Sequence, residues 1–206
     1  MTNPGRRALA AARNRYRGHR LVQQTTTALT PPPPSAWKAY GANTVVVPPA
    51  RIETPECIAL GDGVIVHEHA WLCVQRRPNL PPPSLRIGDR SSLNRFLKIV
   101  CLGSVEIGAD VLLGDRVYIS DVEHLPWSGE SRTHPLIDPK PVVIGDRVHV
   151  GIAVVVKPGV TIGADAFLGA GAVIRDDVPA GGLVVGDPAR LVRLRNAETG
   201  EWERVT

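Results

Sequence analysis

A six-residue spacing constrains this chain more than any other feature. Branched aliphatics stand at Ile144, Val150, Val156, Ile162, Leu168 and Ile174, each six residues after the last. Two positions before each comes a second apolar residue, mostly smaller: Val142, Val148, Val154, Val160, Ala166 and Ala172. Val178 and Val184 extend this lighter position. A helix repeats its apolar face at three and four residues, and a half-buried strand at two, so a period of six fits neither. It fits short strands that turn at regular corners, with aliphatics stacked in register along a narrow core. Glycine follows the aliphatic at Gly145, Gly151, Gly163 and Gly169. The expectation is that these corners need backbone angles closed to β-branched residues.

The register begins near Ile52 and becomes clear at Leu60, Val66 and Leu72. A Pro-rich loop, Gln75 to Ser84, interrupts it. It resumes at Ile87, Leu93 and Ile99, slips by two residues at Cys101 to Ser104, and continues at Ile107, Leu113 and Ile119. Asp121 to Pro141 is a second insertion, and Asp177 to Asp187 leaves the register. Three hexads make one three-sided coil, and the chain has room for about six coils. The tail beyond Pro188 is expected to form a short helix across the last coil.

At 206 residues the chain is one domain, or one domain with an appendage. Aromatics at 4% suit a core of stacked Val, Ile, Leu and Ala. The cysteines (Cys57, Cys73, Cys101) are odd in number and lack metal spacing, which suggests reduced thiols in a cytoplasmic protein. Cys101 reads as a packing residue. The net charge of +4 sits mostly at the two ends. No aromatic-and-basic surface is visible, which disfavours nucleic acid as a partner. No apolar run approaches membrane-spanning length. Arg6-Arg7 has no export segment behind it, because Arg13, Arg15 and Arg17 break the Ala-rich stretch. Residues 1–24 are a basic arm, either a short helix or disordered, and Pro31 to Pro34 favour an extended linker. Contact of this arm with a membrane stays open as a weak alternative.

Two segments carry a family resemblance: Val117-Tyr118-Ile119-Ser120-Asp121-Val122-Glu123-His124, and Val184-Val185-Gly186-Asp187-Pro188-Ala189-Arg190. With the hexads, they resemble the hexapeptide-repeat acyltransferases over roughly residues 52–195, and within them the maltose, galactoside and colanic-acid type sugar O-acetyltransferases. The resemblance implies an all-β fold, a left-handed parallel β-helix over residues 35–188 with a loop at 121–141. Residues 1–34 would be an arm and linker, and 189–206 a tail. The hand comes from the family, since parallel crossovers are in general right-handed. The resemblance also implies acetyl-CoA as cosubstrate and a homotrimer with active sites between subunits.

Residue by residue, His124 takes the position of the catalytic base, where an imidazole accepts a proton from an acceptor hydroxyl. A loop histidine without a role is the alternative. Val122 replaces a second histidine found in many relatives. Asn94 matches an acceptor-contacting asparagine, against the alternative of a corner residue. The galactoside enzyme's acidic acceptor ligand aligns with Gly103, which leaves the acceptor open. In the insertion, Trp127 is the best candidate to stack on a sugar, with packing against a neighbouring subunit as the alternative; Glu130, Arg132, His134 and Asp138 are further candidates. His149 stands where relatives carry a tryptophan lining the pantetheine channel. Ile152 and Ala170 match positions whose backbone amides contact the pantetheine arm. Arg175, Arg190 and Arg193 match positions near the nucleotide end, where guanidinium forks suit phosphate. Pro188 matches a proline near the adenine. Arg175-Asp176 stands where relatives often have Thr-Lys.

Two rival readings use the same fold. A γ-class carbonic anhydrase needs three histidines on zinc. His67, His69, His124, His134 and His149 lack that family's spacing, and no metal ligand is assigned. His67 and His69 are expected on one face of a short edge strand. A non-catalytic trimeric scaffold is the second rival, because fold does not fix function. The reading reached is a CoA-dependent O-acyltransferase that moves an acetyl group to a hydroxyl of a sugar or glycan precursor.

Overall fold

The computed structural model describes residues 30–78, 80–124, 138–196 and 198–205. Their strands come in threes. The first turn is β1 (Ala39–Tyr40), β2 (Val45–Val46) and β3 (Arg51–Glu53); the second is β4 (Ile58–Leu60), β5 (Ile65–Val66) and β6 (Trp71–Val74). The third is β7 (Ser84–Ile87), β8 (Ser92–Leu93) and β9 (Lys98–Cys101); the fourth is β10 (Ser104–Ile107), β11 (Leu112–Leu113) and β12 (Tyr118–Ser120). The fifth is β13 (Val142–Ile144), β14 (His149–Val150) and β15 (Val155–Val156); the sixth is β16 (Thr161–Ile162), β17 (Phe167–Leu168) and β18 (Val173–Ile174). Each turn gives one strand to each of three sheets, A, B and C in order, and within the six turns every pairing is parallel. A final segment, β19 (Gly182–Val185), continues sheet B.

Pairing sets like residues one above another. Sheet A stacks Leu60, Ile87, Ile107, Ile144 and Ile162, and sheet C stacks Leu72, Ile99, Ile119, Val156 and Ile174. These side chains, with the lighter positions such as Val148 and Ala172, form one continuous core. Each branched aliphatic removed from water contributes about 1.5–3 kcal/mol. The winding starts earlier than Ile52: Tyr40, Val46 and Ile52 already keep the spacing, with Tyr40 over Leu60 and Val46 over Val66. At the other end Val184 pairs with Leu168 and so takes the heavier position, sixteen residues on instead of eighteen.

The corner glycines have a different cause from the expected one. Gly145, Gly151, Gly163 and Gly169 are absent from the positive-φ residues. A Cβ on Gly145 would stand 2.6 Å from the Ala164 nitrogen of the next turn, and one on Gly151 would stand 2.7 Å from that of Ala170. Close approach of successive corners is what excludes a side chain. The left-handed backbone falls two residues later, at Arg90, Asp110, Arg147, Ala153 and Asp165 among others. At the corner after sheet A, aspartates accept amides from the neighbouring turn: Asp62 from Ala42 (2.8 Å), Asp89 from Asp62 (2.9 Å) and Asp146 from Ala109 (2.8 Å). Gly145→Ala is therefore expected to cost about 1–3 kcal/mol, as overpacking does. Ala153→Gly, at φ +58, should be nearly neutral, because relief of a left-handed side chain offsets chain entropy. Chemical denaturation of both variants checks the contrast.

The tail is strand, not helix. β20 (Arg190–Arg195) pairs antiparallel with β19, and β21 (Trp202–Arg204) pairs with β20. The open edge of β19 offers unpaired amides and carbonyls, and the alternating Arg190-Leu191-Val192-Arg193 run fills them. Among the described residues no helix is long and apolar enough to cross a membrane.

Candidate active site

The outward face of sheet C carries a cavity of about 560 Å³, lined among others by Trp71, Lys98, Tyr118, Ser120, Lys157 and His124. Its wall is set by strand register. Arg51 lies beside Trp71, Trp71 beside Lys98, and Lys98 beside Tyr118, each one residue before an inward aliphatic. The Lys98 ammonium stands 3.9 Å from the Trp71 ring centroid, and the Arg51 guanidinium carbon 4.3 Å from it. Glu53 holds this wall from behind. It pairs with Arg51 at 2.6 Å and accepts hydrogen bonds from Trp71 Nε1 (3.2 Å), Gln75 Nε2 (3.2 Å) and the Cys73 thiol (3.4 Å).

His124 is exposed at the lip of this cavity, where the chain leaves sheet C. Two side chains hold its approach. Ser120 Oγ donates to the Val122 carbonyl (2.7 Å) and accepts the Val122 amide (3.2 Å). Asp121 is fully buried, and its carboxylate accepts the amides of Leu102 (3.0 Å) and Gly103 (2.6 Å). The Asp121 carbonyl accepts the Lys140 amide at 2.8 Å, so the excursion departs and returns at one place. Burial pushes the Asp121 carboxyl above the usual range, against the amides that favour its charge. Next to His124, Glu123 is ion-paired with Lys157. A second depression of about 500 Å³ adjoins there, lined by Glu123, Lys140, Lys157, Pro158 and Arg175.

The other sequence candidates fall in different places. Asn94 sits at the corner between sheets B and C, where its Oδ1 accepts the Ser92 hydroxyl at 3.3 Å; it does not line the His124 cavity. Ile152 and Ala170 are exposed on that same edge, on successive turns, with the Gly171 amide donating to the Ile152 carbonyl (2.8 Å). His149 projects from sheet B, stacked on Phe167 at 4.6 Å between ring centroids. At the C-terminal end Arg175 pairs with Asp187 at 3.1 Å, which sets Arg175 beside the exposed Pro188. Arg190 and Arg193 are exposed on β20. Trp127, with Glu130, Arg132 and His134, lies outside the described residues.

Sequence reasoning missed Trp71, Lys98, Tyr118, Lys157 and Glu53. The available signal was the position just before the third aliphatic of each turn, which runs Arg51, Trp71, Lys98, Tyr118. A small aromatic-and-basic surface thus exists after all, but it is one ring wide. His67 and His69 lie at a corner rather than on a strand; His69 has φ +63 and stacks on Phe96 at 4.7 Å. Among the described residues no group of three metal-ligating side chains forms. All three cysteines are buried. Burial, with help from Asp121 and Glu53, pushes the Cys101 thiol up to about 12 and Cys73 to about 11, so neither is a ready nucleophile.

Residues 141–176 match the family described as bacterial transferase hexapeptide (six repeats). The chain is 32% identical over 155 residues to the galactoside O-acetyltransferase of Escherichia coli strain K12, which covers 72% of each protein. It is 34% identical over 124 residues to WbbJ of the same strain, whose name assigns it provisionally to lipopolysaccharide O-acetyl transfer. That alignment spans 56% of this chain and 63% of WbbJ, under two thirds of that relative's length. A hexapeptide-repeat acetyltransferase of Vibrio cholerae O1 biovar eltor, solved with acetyl coenzyme A, has a TM-score of 0.53 at 27% identity, over 78% of this chain and 72% of that one. The N-acyltransferase AntD of Bacillus cereus shares the fold at a TM-score of 0.68 and 18% identity, over 80% and 87% of the two chains. Three parallel sheets visited in rotation define a parallel β-wound solenoid, and the alignment with the galactoside enzyme gives its family. The chain belongs to the hexapeptide-repeat transferase family.

Proposed function

We propose that the protein transfers an acetyl group from acetyl-CoA to a hydroxyl of a sugar or glycan precursor. The observation that carries this reading is His124 at the lip of the sheet C cavity, on a braced segment, in a chain aligned over 72% of its length with a galactoside O-acetyltransferase. Acetyl-CoA supplies the activated acetyl group. His124 takes the acceptor's hydroxyl proton as its oxygen bonds to the carbonyl carbon, and returns a proton to the sulfur as the carbon–sulfur bond breaks. No covalent enzyme intermediate is needed.

The winding is left-handed in this reading, with residues 35–188 as the β-helix, 1–34 as an arm and 189–206 as a tail. The pantetheine arm lies along Ile152 and Ala170, with His149 beside it, and Asn94 contacts the acceptor. Arg175, Pro188, Arg190 and Arg193 hold the nucleotide end. Ile152 and Ala170 stand on one edge of sheet C and His124 on the other, which supports an active site completed by a second copy. Sheet B supplies a surface for that contact: Val45, Ile65 and Phe167 project from it, 50%, 40% and 37% exposed. A homotrimer closes such a ring. Buried thiols suit the cytoplasm.

Calorimetry with acetyl-CoA on wild type and Arg190→Glu tests the cosubstrate. Loss of a charge-assisted hydrogen bond should weaken binding about 10–100-fold. No binding by wild type at millimolar concentration would favour a scaffold instead.

A further inference from the structure

The wall of the His124 cavity carries a cation, Lys98, that no carboxylate among the described residues pairs. Four other charged groups line or back this cavity near Lys98, and all four are paired. Arg51 pairs with Glu53, and Lys157 with Glu123. The Glu53 carboxylate also takes three further donors, from Trp71, Gln75 and Cys73. Among the described residues no carboxylate lies within ion-pairing distance of Lys98. Its ammonium rests instead on the Trp71 ring, at 3.9 Å from the centroid. That contact seats the charge on the ring face while leaving its hydrogen-bond donors unused by any described carboxylate. The ring is in turn pinned, by its indole N–H to Glu53 and by Arg51 at 4.3 Å. The result is a point charge seated on an aromatic face in a partly enclosed cavity of about 560 Å³, within the size range of small-molecule sites.

We propose that Lys98, seated on Trp71, binds an oxyanion carried by the acceptor, so that the acceptor is an acidic sugar rather than a neutral one. The inference rests on the acyl-transfer reading for its place in a reaction, but the binding it describes stands separately. A carboxylate or phosphate on the sugar docks on Lys98 and turns a hydroxyl toward His124. The coenzyme's own phosphates are assigned to Arg175, Arg190 and Arg193, none of which lines this cavity. A uronic-acid carboxylate and a sugar phosphate share the required chemistry, and the choice of probe separates them.

The test is binding of glucuronate, glucose 6-phosphate and glucose to the full chain in the presence of CoA, followed by ligand-observed NMR. It compares wild type, Lys98→Met and Lys98→Arg. At least one of the two anionic sugars should bind wild type tenfold or more tightly than glucose. Lys98→Met should reduce that preference toward one, Lys98→Arg should keep most of it, and acetyl-CoA affinity should not change. Whichever anion shows the larger preference identifies the group recognised. Equal binding of neutral and anionic sugars by wild type, or a preference that survives in Lys98→Met, overturns the proposal. So does a loss in Lys98→Met that falls on acetyl-CoA, since Lys98 would then belong to the coenzyme. Absence of thiol release with every sugar, alongside a Lys98-dependent anion preference, would fault the acyl-transfer reading alone.

Discussion

His124→Ala is expected to lower kcat by about 10²–10⁴-fold, the range that a positioned general base supplies. The same change should leave stability within about 0.5 kcal/mol of wild type, because the imidazole is exposed and fills no core space. Thiol release under saturating acetyl-CoA, with parallel denaturation curves, reads both. A second experiment addresses where the base acts. Ala170→Trp places a bulky ring on the exposed edge assigned to the pantetheine arm, without touching the core. Each variant alone should be inactive. If His124 of one subunit meets the Ala170 edge of another, subunits mixed in equal amounts form some sites with both halves intact. Random exchange in a closed trimer then restores about a quarter of wild-type turnover. Recovery absent from a verified mixture would place both halves on one chain. Wild-type turnover by His124→Ala would remove the general base from the mechanism.

The period of six made the core legible because every third-sheet return buries the same residue type. Ile144, Val150 and Val156 could be placed on three successive faces from spacing alone, and all are buried. The first turn was not, because Tyr40 breaks the aliphatic pattern and Pro48-Pro49 follows Val46 closely. The corner glycines were found but misexplained: a close approach between turns is a three-dimensional fact, and the sequence shows only that a side chain is missing. The tail was missed because Arg190 to Arg195 reads as a solvated basic run until an open strand edge is known to lie beside it. His124 was legible through its segment. The rest of the cavity wall was not, since Arg51, Trp71, Lys98 and Tyr118 are about twenty to thirty residues apart in sequence and meet only through register.

Asp121 is the residue on which both the fold and the histidine's position depend. Its carboxylate is the acceptor for two amides, Leu102 and Gly103, in the two-residue slip between β9 and β10. Its carbonyl, three residues before His124, accepts the Lys140 amide and closes the base of the excursion. Asp121→Ala is expected to destabilise the protein by about 1–3 kcal/mol for each amide left without a partner. Turnover should fall in the surviving folded fraction as well, because the segment that presents His124 loses its anchor. Asp121→Asn keeps one acceptor oxygen and should recover part of both losses. Acidity separates the charge from the hydrogen bonds. Because burial raises the carboxyl's pKa in the folded state, the folded protein holds this proton more tightly than the unfolded chain. The group's contribution to stability is therefore complete below the ordinary aspartate range and declines as pH rises through the raised value. Asp121→Asn has no such proton, so its stability deficit should be larger in weak acid than at neutral pH. A deficit that instead grew toward neutral pH would mean that the amides hold the carboxylate charged, and that burial is not the dominant influence on it.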